Sequence, residues 1–190
     1  MAFADVVSTT LTPQLGEIRL AWWRDRLEDL DRGISPPAEP RLQSVAVNLI
    51  PAGVRGEELA RLEYCWLALL SPFPWDDVVA DAVTERGRIL FGIGARLIGC
   101  EAIEGEPLGA VWSLADVARR CSDPESRAFL CHRAKSAIRA LHHKPVPAAL
   151  GPLKMIAARR MYDLLHGDRS KWNRLLWAMR FSVSGRFPQS

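Results

Sequence analysis

The stretch Thr12-Pro13-Gln14-Leu15-Gly16-Glu17-Ile18-Arg19-Leu20-Ala21-Trp22-Trp23-Arg24-Asp25, continuing to Asp31, sets the fold class. Thr12 followed by Pro13 reads as an N-cap with proline at the first helical position, where the missing N–H costs nothing. Apolar residues then recur as Leu15, Ile18 and Trp22, and as Leu20, Trp23, Leu27 and Leu30. These two interleaved stripes have helical spacing and predict a helix with a wide buried face. Gly33 to Pro40, with three prolines, ends it.

The same pattern repeats outward from this helix. Arg41 to Ile50 reads as a short helix, broken by Pro51-Ala52-Gly53. A helix from about Gly56 to Leu70 follows, and Ser71-Pro72-Phe73-Pro74 breaks the pattern again. Trp75 to Ile98 reads as a long helix with acids in its first turns, which suits the positive end of the helix dipole. Gly105 to Pro107 reads as a loop and Gly109 to Arg120 as a helix. Ser122-Asp123-Pro124-Glu125 is a restart signal, S-x-x-E with proline near the first turn. The helix after it ends near His142. Another runs to His166 with Gly167 as its cap, and a last amphipathic helix carries Trp172, Leu175, Leu176, Met179 and Val183. No stretch alternates with period two for long enough to require a strand. The expectation is an all-α bundle of seven or eight helices in one domain, residues 1–190.

Composition narrows the function. The 190 residues carry 25 Lys/Arg and 22 Asp/Glu. Residues 1–118 hold 10 basic and 18 acidic side chains, whereas residues 119–190 hold 15 and 4. A basic half of this kind suits an anionic partner, or a complementary surface on the acidic half. Nucleic acid is not expected, because no reading motif accompanies the charge. No run of eighteen apolar residues occurs, so no transmembrane helix is expected. Met1 to Thr10 lacks the pattern of a signal peptide. Cys65, Cys100, Cys121 and Cys131 form no C-x-x-C pair and read as thiols in a reducing cytoplasm. His142-His143 lacks metal-ligand spacing.

Acid pairs four residues apart, Asp25/Asp29 and Asp77/Asp81, place two carboxylates on one helical face, a spacing that can hold magnesium against a diphosphate. The same spacing is common on solvated helix faces, and the neighbours Arg24, Arg26 and Glu28 favour that reading for Asp25 and Asp29. Asp76 and Asp77 read as first-turn partners of the dipole. Gly92 and Gly94 stand inside a helix, where each costs roughly 1 kcal/mol against alanine. Close approach of a helix or a ligand would compensate.

Three blocks carry a family resemblance. Leu15 to Asp25 is similar to the L-G-x-x-R-L-x-W-W-R-x-x-L helix of bacterial squalene/phytoene synthase-like proteins. Arg86-Gly87-Arg88-Ile89-Leu90-Phe91 through Gly99 resembles that family's glycine-containing, cavity-lining helix. Gly109-Ala110-Val111-Trp112-Ser113-Leu114-Ala115-Asp116-Val117-Ala118-Arg119-Arg120 resembles its second aspartate-motif helix. The resemblance implies the all-α isoprenoid synthase fold and head-to-head joining of prenyl diphosphates with Mg2+ held by two aspartate motifs.

The departures are specific. Where the family reads N-x-x-R-D-x-x-x-D, Asp116 takes the Asn place, Arg119 keeps the Arg, Arg120 replaces the first Asp and Pro124 the second, with Asp123 one position away. The first motif is expected on a helix before Thr12, and Asp5 is the acid there; the family's N-terminal helix reads as truncated at Met1. The resemblance therefore implies a degenerate metal site, with Arg119, Arg120, Asp116, Gly92 and Gly94 toward a prenyl diphosphate or isoprenoid and Asp116 and Asp123 as the remaining metal-side acids. The same family includes non-enzymatic assembly factors for respiratory complex I, which implies a second possibility: a silent scaffold. Its basic C-terminal helix, with Trp172 and Trp177 among Lys171, Arg174 and Arg180, would meet a membrane surface or a protein partner. The expected location is cytoplasmic, or peripheral at the inner membrane face.

Overall fold

The computed structural model describes residues 2–9, 12–141 and 146–167. His142-His143 and the expected last helix lie outside the described residues. All the regular structure described is helical, with no strand among the described residues. None of the described helices is long and apolar enough to cross a membrane. Length alone points to one domain; the contacts divide the chain into two compact units, Met1–Pro72 and Phe73–Ser190.

The first unit contains α1 (Ala2–Thr9), α2 (Pro13–Asp31), α3 (Pro40–Ser44), a π-helical turn (Val45–Leu49), α4 (Gly56–Ala60), α5 (Leu62–Leu67) and a 3-10 turn (Ala68–Leu70). Thr12 and Pro13 start α2 as expected, in extended-then-helical geometry. The segment 56–70, expected as one helix, is divided at Arg61. The first turn of α4 is capped from α2: Asp31 accepts from the Gly56 and Glu57 N–H groups at 2.6 and 2.8 Å. A Cβ on Gly56 would overlap the Leu27 carbonyl, so glycine is what lets α4 approach α2 this closely.

Only one of the two α2 stripes is covered. Leu20, Leu27 and Leu30 are buried. Leu15, Ile18 and Trp22 remain 53%, 67% and 41% exposed, so the expected wide buried face is half that width. The physical reason is the number of neighbours. Helices α1, α4 and α5 pack against α2 within this unit, and they meet the side that carries Leu20, Trp23 and Leu27. Phe3 of α1 lies 6.0 Å from Trp23, which stands edge-on to Trp22 at 5.3 Å. Arg19 donates to Thr9 at 3.3 Å, and Asp5 pairs with Arg41 at 2.6 Å.

The second unit contains α6 (Asp77–Leu97), α7 (Ala102–Arg120), α8 (Pro124–Leu141), a 3-10 turn (Ala148–Leu150) and α9 (Gly151–His166). Helix α7 packs against α6, α8 and α9, and its core face holds Leu108, Val111, Leu114, Ala115 and Ala118. Gly105 to Pro107, expected as a loop, lies inside α7, which begins at Ala102. The Glu104 carboxylate accepts from the Glu101 N–H at 3.0 Å and starts the helix earlier than Pro107 suggests. Contact with α6 holds the segment helical. A Cβ on Gly109 would overlap the Gly87 carbonyl and lie 2.7 Å from Phe91 Cβ, and one on Gly105 would lie 2.8 Å from Ala95 Cβ. At this seam the two backbones touch, and only glycine fits.

Gly92 and Gly94 behave differently. A Cβ on Gly92 would meet Ala102 Cβ at 3.5 Å, and one on Gly94 would meet Leu153 Cδ2 at 3.4 Å. These are ordinary or nearly ordinary contacts, and Leu153 can adjust. Gly92→Ala and Gly94→Ala are therefore expected to leave stability unchanged or raise it by up to about 1 kcal/mol through helix propensity. Urea denaturation measures this, and a loss of stability in both would show that the space beside α6 is tighter than described.

Candidate functional site

The second unit concentrates its buried charge on one carboxylate. Asp116 is 5% exposed and Arg86 1% exposed. A buried guanidinium must find acceptors or it destabilises the fold. Arg86 finds Ser113 Oγ through Nε at 2.8 Å and Asp116 Oδ2 through Nη2 at 3.3 Å. Ser113 and Asp116 are three residues apart on α7, hence on one face. The Arg86 guanidinium also lies over the Trp112 ring at 5.1 Å, and Phe91 stands 5.5 Å from Trp112.

Two further arginines reach the other oxygen. Arg120, four residues along α7, donates through Nε to Asp116 Oδ1 at 3.2 Å. Arg160 of α9 approaches the same oxygen through its Nε at 3.2 Å. One carboxylate thus faces three guanidiniums drawn from α6, α7 and α9. Such a cluster favours a further anion, because Arg120 and Arg160 share a single carboxylate oxygen.

The sequence-expected residues separate into two groups. Asp116 and Arg120 come together in the cluster, and Arg119 is exposed one position before Arg120. Gly92 faces Ala102 and Glu106, and Gly94 faces Leu153. Asp123 serves the fold instead. Its carboxylate accepts from the Ser126 N–H at 2.8 Å and caps α8, in place of Ser122. Ser126 in turn accepts from the Trp75 N–H at 2.8 Å, and Arg127 donates to the Cys121 carbonyl at 2.6 and 3.1 Å. Burial pushes the Cys121 thiol above its usual range.

Of the acid pairs, Asp77 and Asp81 both bind Arg133 of α8, which ties α8 to α6. Asp76 caps α6 through the Val79 N–H at 3.2 Å. Asp25 pairs with Arg24, whereas Asp29 pairs with Arg26 and Arg32. Among the described residues, no group of three or more His, Cys, Asp or Glu side chains could hold a metal ion.

The cluster does not fit magnesium. A hard divalent cation needs free carboxylate oxygens. Both Asp116 oxygens accept from guanidiniums, and Arg120 occupies the position where the resemblance calls for an aspartate. A dication placed there would be repelled by three positive charges.

Arg86 and Arg160 were not among the sequence-derived candidates. Arg86 had a signal: it falls in the apolar stripe of Val79 and Val83 on α6, and a cation on a core face must have a buried partner. Arg160 had none, because its partner is set by how α9 crosses α7.

The Asp123 cap gives a pH dependence. The bonds from Ser126 hold its carboxyl below the ordinary carboxylate value. A group whose pKa is depressed by folding adds stability above its unfolded pKa, and that stability is lost as pH falls through the folded value. Asp123→Asn is therefore expected to show a smaller fall in melting temperature than the parent between about pH 5 and about pH 3. Parallel thermal melts in this window give the comparison, and an equal fall in both would remove the cap from the acid response.

Compared with protein-family models, characterised proteins and solved structures, the chain finds no match.

Proposed function

We propose that this chain is a squalene/phytoene synthase-type helical protein that binds a prenyl diphosphate or isoprenoid ligand and carries out weak or no head-to-head prenyl transfer. The observation that supports the reading is the engagement of Asp116 by Arg86, Arg120 and Arg160. It lies on the helix that resembles the family's second aspartate motif. It supplies positive charge for a diphosphate and no free carboxylate for a metal. Ionising a diphosphate requires its developing charge to be neutralised in the transition state, and metal ions are the usual means. Arginines can bind the same group in its ground state, which lowers the free energy of binding without lowering the barrier equally.

The test is incubation with farnesyl or geranylgeranyl diphosphate and magnesium, following both binding and product. Binding without accumulation of a head-to-head product is expected. Absence of both binding and product sinks the reading, and rapid turnover overturns its second half.

A second reading, a non-enzymatic assembly factor, is favoured by the exposed Leu15, Ile18 and Trp22 of α2. An uncovered apolar stripe at helical spacing is a feature of partner-binding helices. Ile18→Glu would then lower the level of assembled respiratory complex I in cells while leaving the melting temperature of the isolated protein unchanged. Unchanged complex I levels count against it.

A further inference from the structure

Arg86 takes Oδ2 of Asp116, and Arg120 and Arg160 share Oδ1, so two guanidiniums depend on one carboxylate oxygen. Two acids of the flanking elements are engaged elsewhere. Asp163 of α9 pairs with Arg159 at 2.9 Å, and Asp123 caps α8. Both Arg120 and Arg160 contact Asp116 through Nε, which leaves the Nη groups of each as donors. Among the described residues neither arginine has another acceptor. The Arg120 side chain is 61% exposed and that of Arg160 25%, so solvent ions can reach both.

We propose that Arg120 and Arg160, oriented by Asp116, bind a diphosphate-type anion in its metal-free form, and that magnesium weakens this binding. The inference rests on the reading above for the ligand's head group and adds a statement about its metal state. Guanidinium forks match phosphate oxygens in geometry and need no bridging ion. Asp116 acts as the positioning residue: it engages both side chains through Nε and leaves their Nη groups to an incoming anion. Chelation of diphosphate by magnesium removes two units of its negative charge and brings a cation toward these guanidiniums. In a site built from carboxylates the same ion would be the bridge that makes binding possible.

The experiment is calorimetric titration of the full chain with inorganic pyrophosphate, once with a chelator and once with excess magnesium. Binding is expected in the chelator arm and is expected to weaken several-fold with magnesium. Arg120→Gln and Arg160→Gln should each weaken the metal-free binding on the order of tenfold, as expected for losing a charged hydrogen bond. Arg88→Gln, an exposed change on α6 beside Glu85, should leave it unchanged. Circular dichroism confirms that the variants fold; the exposure of Arg120 makes its variant the most informative.

No binding of pyrophosphate in either arm, binding only with magnesium, or equal loss in Arg88→Gln overturns the proposal. Farnesyl diphosphate in the same two arms separates it from the reading on which it rests. Metal-free binding tighter than that of pyrophosphate supports both. Metal-free binding of pyrophosphate with no gain from the farnesyl chain supports the anion site and removes the isoprenoid. Farnesyl diphosphate binding only with magnesium overturns the anion proposal and leaves the isoprenoid reading intact.

Discussion

Gly109→Ala is expected to lower the stability of the second unit by more than about 4 kcal/mol, or to prevent its folding. The new methyl group would overlap the Gly87 carbonyl and stand 2.7 Å from Phe91 Cβ. Backbone cannot rotate away as a side chain can, so α7 would have to separate from α6. That separation would loosen a helix that also packs against α8 and α9. Gly87→Ala should behave alike, since its methyl would overlap the Gly109 carbonyl and approach Ser113 Cβ at 2.7 Å. The measurement is urea unfolding followed by circular dichroism, with Gly92→Ala as the internal control. The same substitution in the same helix should be tolerated five residues from Gly87. A Gly109→Ala protein with wild-type stability would mean that the two helices are not in backbone contact.

Asp116→Ala should cost about 3–5 kcal/mol, because removing one partner of a buried ion pair leaves an uncompensated charge in the interior. Here Arg86 would lose its carboxylate partner while keeping its hydrogen bond to Ser113 and its place over the Trp112 face. Arg86→Met should cost less, about 1–3 kcal/mol. Asp116 would still hold Arg120 and Arg160, and methionine fills much of the arginine volume. The order of the two variants is the informative result, and chemical denaturation of both supplies it. Equal costs would mean that Arg120 and Arg160 do not compensate Asp116. The double variant should lose less than the sum of the singles, since neither charge is then buried without its partner.

These expectations show where local sequence is informative and where it is not. The start of α2 at Thr12-Pro13 and the acidic start of α6 at Asp76 depend on residues within one turn of the helix end, and both were legible. The breaks at 56–70 and at Pro107 were misplaced, because contacts outweighed local signals. Asp31 caps α4 from a different helix, and the glycine seam with α6 carries α7 through Pro107. Glycine itself was legible as unusual, yet the positions singled out, Gly92 and Gly94, are not the ones in tight contact. Gly87, Gly105 and Gly109 are; Gly105 and Gly109 stand four apart on one face of α7, but only the packing shows that this face meets α6.

The candidate site follows the same division. Asp116, Arg119 and Arg120 lie within one and a half turns of a single helix, so motif spacing could group them. Arg86 and Arg160 enter from α6 and α9, far along the chain. By itself the sequence determined that the chain is helical, where most helices lie, and that its second part carries surplus positive charge, because these depend on residue type and on a period of 3.6. The tertiary structure alone decided which stripe of α2 is covered, which glycines form the seam and which arginines surround Asp116. Those outcomes depend on which surfaces meet, and the physical terms that select among them, steric overlap and charge burial, act between residues that adjacency in the chain does not bring together.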